Sequence, residues 1–207
     1  MSYYMTMATQ SMTDVRAQAT KDALLDAALA AFADRGIGFT MQDIADRAGV
    51  THRTVYRYFS SRDELFEALA VRSDLDEART LTLPGTVAAL REFVPGLFGY
   101  FEEHADRTHA LALNTLTTGN STAESARRMD RLAPWIRGTH PHIAESDVAA
   151  IAALLRSTIG GVGWHVLTTV NRLSPAEAIV AGQRLIEAVL PLLERLEEEG
   201  KSSWTQN

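Results

Sequence analysis

The sequence of 207 residues contains no cysteine. This absence excludes disulfide bonds, thiolate metal ligands and a cysteine nucleophile. Glycine and proline are scarce, with 13 and 6 residues, whereas alanine and leucine are abundant. Because glycine and proline interrupt helices, and no segment alternates apolar and polar residues for long, the composition favours an all-α fold.

Long apolar runs are also missing. The longest candidate, Thr158–Val170, is shorter than the roughly 18 residues that a membrane span requires, and it contains His165. Residues 1–12 lack a positive charge followed by an apolar stretch, so they do not resemble a secretory signal. The sequence therefore predicts a cytoplasmic protein without a membrane partner, with 1–12 as a disordered arm.

Positive charge is in the minority, because 20 lysines and arginines oppose 26 acidic residues and the net charge is −6. Its distribution is uneven. From Arg47 to Arg62 the chain carries four arginines and His52 without one acidic residue. A short basic segment in an acidic protein is typical of a surface that contacts phosphate. A solvated run of arginines without a partner is the alternative.

The segment 40–59, TMQDIADRAGVTHRTVYRYF, contains two short helical patterns. Thr40 is placed to cap the first helix with Asp43 as its reciprocal partner, and Gly49 is placed to end it with a positive φ. Thr51 then caps the second helix. Two helices of about eight residues each, joined by a turn of about three residues that contains glycine, are the pattern of a helix-turn-helix.

The second of these helices is expected to bury Val55 and Phe59 and to expose its opposite face. Side chains on that face donate to base edges and phosphates, and arginine suits bidentate contact with guanine. An ordinary helical hairpin with an exposed polar face is the alternative. The candidate DNA-binding residues of this helix and its cap are Thr51, His52, Arg53, Thr54, Tyr56, Arg57 and Tyr58.

Over residues 17–70 the chain resembles the tetracycline-repressor (TetR) family of transcriptional regulators. The matching residues are Ile44-Ala45, Ala48-Gly49-Val50-Thr51 and Thr54-Val55-Tyr56-x-Tyr58-Phe59-x-Ser61-Arg62-Asp63-Glu64-Leu65. Two positions depart from the family pattern. Arg53 stands where the family often has a small residue or proline, and this suggests a different base preference. Arg62 stands where lysine is usual, and it preserves the charge.

The resemblance implies a role for each matching side chain. Phosphate contacts are implied for Thr40, Tyr56 and Arg62. Base contacts are implied for His52, Arg53 and Arg57, while Thr54 serves in either kind of contact and Tyr58 contacts phosphate or packs. The family also implies a homodimeric repressor that binds a palindromic operator in double-stranded DNA and is released by a small-molecule effector.

The domain organisation follows from these patterns. We expect a helix-turn-helix domain over 13–60, a ligand-binding and dimerisation bundle over 61–199 and a flexible tail over 200–207. Helices predicted over 146–171 and 174–199 are apolar over so broad an arc that two sides must be covered. One side is expected to face the core and the other a second copy; burial within a monomer is the alternative. The small-residue stripe of the first helix is Ala149, Ala152, Ala153, Gly160, Gly163 and Leu167.

Aromatic residues near helix breakers predict a ligand pocket. Pro95, Pro134 and Gly160-Gly161 are expected to bend helices and leave gaps that a ligand fills. The alternative is that these aromatic residues form ordinary core. The candidate ligand-binding residues are Phe98, Phe101, His104, Asn114, Trp135, Trp164 and His165.

The sequence predicts no enzyme, no metal site and no cofactor. His140-Pro141-His142 offers two imidazoles, but only Glu145 and Asp147 lie near them in the chain. Gly36-Ile37-Gly38 and Gly161-Val162-Gly163 lack the strand and third glycine of a dinucleotide site. The remaining alternatives are a ligand-binding module without DNA regulation, an activator of the same fold and a cofactor-independent enzyme.

Overall fold

The computed structural model describes residues 2–77, 83–86, 89–119 and 131–204. Within these ranges the regular structure is helical and no strand occurs, which confirms the all-α prediction. The chain divides into two compact units, Met1–Leu69 and Ala70–Asn207.

The first unit is built from α1, Ser2–Arg35; α2, Met41–Ala48; α3, His52–Tyr58; and the start of α4, Arg62–Glu77. Apolar residues from all four helices are buried together, because each helix has one apolar face. The largest fully buried side chains of this unit are Leu24, Phe39, Ile44, Phe59, Leu65, Phe66 and Leu69.

The N-terminal helix is longer than the sequence pattern suggests. A disordered arm is predicted over residues 1–12, whereas α1 begins at Ser2. No glycine or proline occurs before Gly36, so the helix extends backwards from its packed part, where each added residue avoids the cost of nucleating a new helix. The helix ends at Arg35, where Gly36 adopts a φ of 58°.

The second unit packs its helices around one core. Its described helices are α5, Leu90–Glu103; α6, Ala105–Thr118; α7, Leu132–Thr139; α8, Glu145–Ile159; α9, Gly161–His165; and α10, Pro175–Trp204. Core side chains include Leu90, Val94, Phe98, Ile136, Val148, Leu155, Trp164, Ile186 and Leu193. A helix is also predicted over 121–137, and its residues 121–130 lie outside the described part of the chain.

The helix predicted over 146–171 is broken, and this part of the prediction is wrong. The chain is extended at Gly160, with φ −78° and ψ 176°, and α9 is followed by a π-helical turn, Val166–Val170. The two segments are bent by 43°. A Cβ atom on Gly163 would lie 2.1 Å from the carbonyl oxygen of Thr158. The close return of the chain after the break therefore requires glycine at this position.

The last helix, predicted over 174–199, spans Pro175–Trp204. The Ser174 hydroxyl accepts from the Glu177 N–H at 3.4 Å, and the Ser174 N–H donates to the Glu177 carboxylate at 2.8 Å. This cap confirms the predicted start. The helix continues into the predicted flexible tail, where Gly200 lies against the carbonyl group of His142.

Among the described residues, no single helix has the length and apolar character needed to cross a membrane. One bent pair, Glu145–Ile159 with Gly161–Val170, meets the length and composition criteria together. Ile151, Leu155 and Ile159 of this pair are buried in the core of the second unit.

Candidate nucleic-acid interface

The start of α2 is fixed by a reciprocal cap between Thr40 and Asp43. The Thr40 N–H donates to Oδ2 of Asp43 at 2.7 Å, and the Asp43 N–H donates to Oγ1 of Thr40 at 3.2 Å. Arg35 forms an ion pair with Oδ1 of Asp43 at 2.9 Å. The hydrogen bonds from Thr40 lower the pKa of the Asp43 carboxyl group. The predicted capping box is confirmed, and it places Thr40 at the exposed N-terminus of α2.

The turn between α2 and α3 depends on Gly49 and Thr51. Gly49 has a φ of 65°, a left-handed conformation that costs a residue with a Cβ atom about 1–2 kcal/mol. Oγ1 of Thr51 accepts from the Thr54 N–H at 3.2 Å and caps α3. The hydroxyl oxygens of Thr51 and Thr54 are 2.9 Å apart. The turn and both caps therefore form as the motif predicts.

Helix α3 buries one face and exposes the other. Val55 within α3 and Phe59 directly after it are almost fully buried, which turns the remaining side chains outward. The exposed residues are Thr51, His52, Arg53, Tyr56 and Arg57, and the half-buried ones are Thr54 and Tyr58. The structure thus brings the candidate DNA-binding residues of this helix onto one accessible surface.

Ring contacts order part of this surface. The His52 and Tyr56 rings meet edge to face with their centroids 4.8 Å apart. The Arg57 guanidinium lies 5.1 Å from the centroid of the Tyr58 ring. Within the described part of the chain, neither Arg53 nor Arg57 forms an ion pair. Their charges are therefore available to an anionic partner.

The other two arginines of the basic segment are engaged within the protein. Arg47 forms an ion pair with Asp34. Arg62 donates to the carbonyl oxygens of Ile37 and Phe39, and burial lowers the pKa of its guanidinium. Of the four arginines in the segment, only Arg53 and Arg57 are therefore without an ion pair or a hydrogen bond to a backbone carbonyl among the described residues.

The candidate ligand-binding residues lie in the second unit and fall into two groups. Phe98, Phe101 and Trp164 are buried together, with the Phe101 ring 6.2 Å from Phe98 and 6.1 Å from Trp164. Asn114 and His165 are buried as well. His104 donates to the carbonyl oxygen of Tyr100 at 3.0 Å, and Trp135 donates to that of Pro84 at 2.7 Å. These last two polar groups are thus occupied by the backbone.

Next to Trp164 lies His109, a residue that the sequence pattern does not single out. Its ring stacks on Trp164 with a centroid distance of 4.8 Å, and its Nδ1 lies 2.7 Å from Nδ1 of His165. Burial lowers the pKa of both histidines, and the neighbouring His109 lowers that of His165 further. No local signal joins residues 56 positions apart, which is why sequence reasoning missed His109.

Two further buried polar features surround these aromatic residues. Arg107 donates to the hydroxyl oxygen of Tyr100 at 2.8 Å. The Nε1 atom of Trp164 is buried and, within the described residues, has no hydrogen-bond acceptor. A buried donor without an acceptor costs free energy, so this position favours a partner that accepts a hydrogen bond.

The His-Pro-His segment has a structural role in this fold. The His142 N–H donates to Oε2 of Glu197 at 2.8 Å, and its Nδ1 lies 2.5 Å from Oε1. Glu197 is buried on α10, so His142 ties the loop before α8 to that helix. The described residues contain no group of three potential metal ligands.

Comparisons with known proteins agree with this geometry. Residues 24–69 match the model of the tetR family of bacterial regulatory proteins. The chain is 26% identical to the HTH-type transcriptional repressor Rv3405c of Mycobacterium tuberculosis over 93% of its own length and 99% of that protein. It is 37% identical to the HTH-type transcriptional repressor KstR2 of Mycobacterium tuberculosis over 42% of its own length and 44% of that relative.

A solved structure shows the same fold. The crystal structure of a TetR-like transcriptional regulator from Rhodococcus sp. RHA1 superposes with a TM-score of 0.59 and 23% identity, covering 83% of this chain and 96% of that one. The family match includes α2, α3 and the first half of α4, the helices that position the exposed arginines. Residues 24–69 form the DNA-binding domain of the tetR family of bacterial regulatory proteins, and the chain is a DNA-binding transcriptional regulator.

Proposed function

We propose that this protein is a cytoplasmic, homodimeric repressor that binds a palindromic operator and leaves it when a small-molecule effector binds. The observation that carries the proposal is the exposed face of α3, on which Arg53 and Arg57 are unpaired among the described residues. The first unit reads DNA in this proposal. The second unit binds the effector and dimerises.

In this proposal α3 is the recognition helix in the major groove. His52, Arg53 and Arg57 contact base edges, with the arginines suited to guanine. Tyr56 and the N-terminus of α2 at Thr40 contact phosphate, while Thr51, Thr54 and Tyr58 lie at the border of the contact surface. A dimer places two such helices on half-sites about one helical turn, or a multiple of it, apart.

Dimerisation is proposed through α8 and α10. On their buried sides Leu155 and Ile186 belong to the core. On the other side Leu154 is 44% exposed and Val180 is 52% exposed, and Ala149 and Ala153 are exposed as well. Exposed apolar residues on two neighbouring helices support a partner surface, and a second copy covers it by two-fold symmetry.

The effector site is proposed around Trp164. Phe98, Phe101 and His165 supply its apolar and polar walls together with His109, which stacks on the indole ring. The buried Nε1 of Trp164 supports a ligand that accepts a hydrogen bond there. Binding releases DNA only if the ligand favours a dimer whose recognition helices no longer match the operator.

Selection of bound sequences from a random pool of DNA duplexes tests the proposal with the full-length protein. We expect enrichment of a two-fold symmetric site, bound in the nanomolar range and more weakly as salt rises. The double variant Arg53→Ala/Arg57→Ala is the control and should enrich no sequence. A wild-type selection that also enriches no sequence would rule the proposal out.

A further inference from the structure

The guanidinium of Arg62 occupies a site formed by its own unit. Its Nη1 donates to the carbonyl oxygen of Phe39 at 2.6 Å, and its Nη2 donates to that of Ile37 at 2.5 Å. The same group lies 4.2 Å from the centroid of the Phe39 ring and 5.5 Å from that of the Phe66 ring. Two charge-assisted hydrogen bonds and two cation–π contacts therefore hold one planar group in place.

This arrangement connects two elements of the DNA-binding unit. Arg62 is the first residue of α4, whereas Ile37 and Phe39 belong to the segment between α1 and α2. Phe39 is buried and directly precedes Thr40, the cap of α2. A shift of Arg62 relative to this segment would therefore shift the start of α2, the helix against which α3 packs.

The contacts also oppose a phosphate role for this side chain. To reach DNA with the same two N–H groups, Arg62 would have to release both carbonyl oxygens and leave the rings of Phe39 and Phe66. An arginine presents a flat fork of donors that fits two carbonyl groups at once. A lysine keeps the charge but provides neither the fork nor the flat surface.

We propose that Arg62 is a positioning residue: it locks the first turn of α4 to residues 37–39 and thereby orients the helix-turn-helix, and it does not contact phosphate. The inference rests on the proposed operator binding. It separates Arg62 from Arg53 and Arg57, the two exposed arginines of α3, whose charges meet the DNA in the proposed function.

Operator affinity at several salt concentrations, measured well below the unfolding temperature, tests this role with full-length Arg62→Ala and Arg62→Lys. We expect both variants to bind the selected operator about tenfold more weakly, with an unchanged slope of log K against log salt. A lost phosphate contact would instead reduce the slope by about 0.9 for each contact. Arg47→Ala is the matched control, because it removes a charge of the same segment without touching either carbonyl group.

Two results would overturn the inference. If Arg62→Lys binds like the wild type while Arg62→Ala has a reduced salt slope, Arg62 contacts phosphate. If both variants bind like the wild type and only their unfolding temperatures fall, Arg62 serves stability alone.

Amide hydrogen exchange of the free protein provides a readout without DNA. Both Arg62 variants should exchange faster over residues 37–44, which cover the segment bound by Arg62 and the first turn of α2. Arg47→Ala removes an ion pair near the other end of α2 and should leave exchange over 37–44 unchanged. Unchanged exchange in the Arg62 variants would show that Arg62 does not hold residues 37–39 in place. A wild type that selects no operator would refute the proposed function, while the exchange data would still decide whether the lock exists.

Discussion

The two units differ in where their notable polar side chains lie: on the surface in the first unit and in the core in the second. In the first unit Arg53 and Arg57 lie exposed on α3, above a core of apolar residues. In the second unit Arg107, Asn114 and His165 are buried. A polar group on the surface is solvated, whereas a buried one costs free energy unless it has a partner. The exposed charges of the first unit are therefore accessible to an external partner, whereas the polar groups of the second unit are enclosed in its core.

The largest expected effect is a difference in stability loss between two glycine-to-alanine variants, one in each unit. Gly163→Ala in the second unit should lower the free energy of unfolding by about 4 kcal/mol, because its Cβ would lie 2.1 Å from a backbone oxygen. Gly49→Ala in the first unit should cost about 1–2 kcal/mol, since its Cβ meets no atom within 4 Å and only the positive φ opposes it. Denaturant unfolding measures both. Equal losses would show that the chain does not return so closely after Gly160.

A charge on the exposed side of α8 should act through assembly. Ala153→Arg should raise the dissociation constant of the dimer about 100-fold, because an unpaired guanidinium would be buried at the proposed interface. Operator affinity should fall with it. Ala30→Arg, at an exposed position of α1, is the control and should leave the dimer intact. Sedimentation equilibrium measures the dissociation constant of the dimer. If Ala153→Arg leaves it unchanged, this side of α8 does not lie in the dimer interface.

Variants on α3 should affect DNA binding and leave folding unchanged. Arg53→Ala or Arg57→Ala should cost about 1–3 kcal/mol of operator binding and relax the preference at particular base pairs. Tyr56→Phe should weaken operator and random DNA to a similar, smaller extent, because a phosphate contact carries no sequence information. Fluorescence anisotropy with both duplexes measures the difference. The assignment fails if the arginine variants lose the same affinity for both.

The smallest expected effect concerns pH. Burial lowers the pKa of His109 and His165, so the unfolded chain binds more protons than the folded one below the ordinary histidine pKa. Their contribution to stability is present above that value and is lost as pH falls through it toward the lower pKa of the folded state. The double variant His109→Gln/His165→Gln should flatten the pH dependence of the free energy of unfolding, measured by denaturant unfolding at several pH values. If the free energy of unfolding of the double variant changes with pH as steeply as that of the wild type, the two histidines are not the source of this pH dependence.

Several local features could be predicted from the sequence because their interacting groups are close in the chain. The caps at Thr40, Thr51 and Ser174 join residues three positions apart, and Gly49 ends α2 by its own backbone conformation. The buried and exposed faces of α3 follow from helical periodicity. These features led to the all-α fold, the helix-turn-helix and the family.

Other features were decided only by tertiary structure. Arg62 reaches Ile37 across 25 positions, and His109 meets His165 across 56. The chain breaks at Gly160 and returns against Thr158, although the apolar pattern continues through it. A periodic pattern shows which face of a helix is apolar, but it contains no distance between separate segments. Whether a guanidinium faces solvent or a carbonyl group therefore depends on how the helices pack.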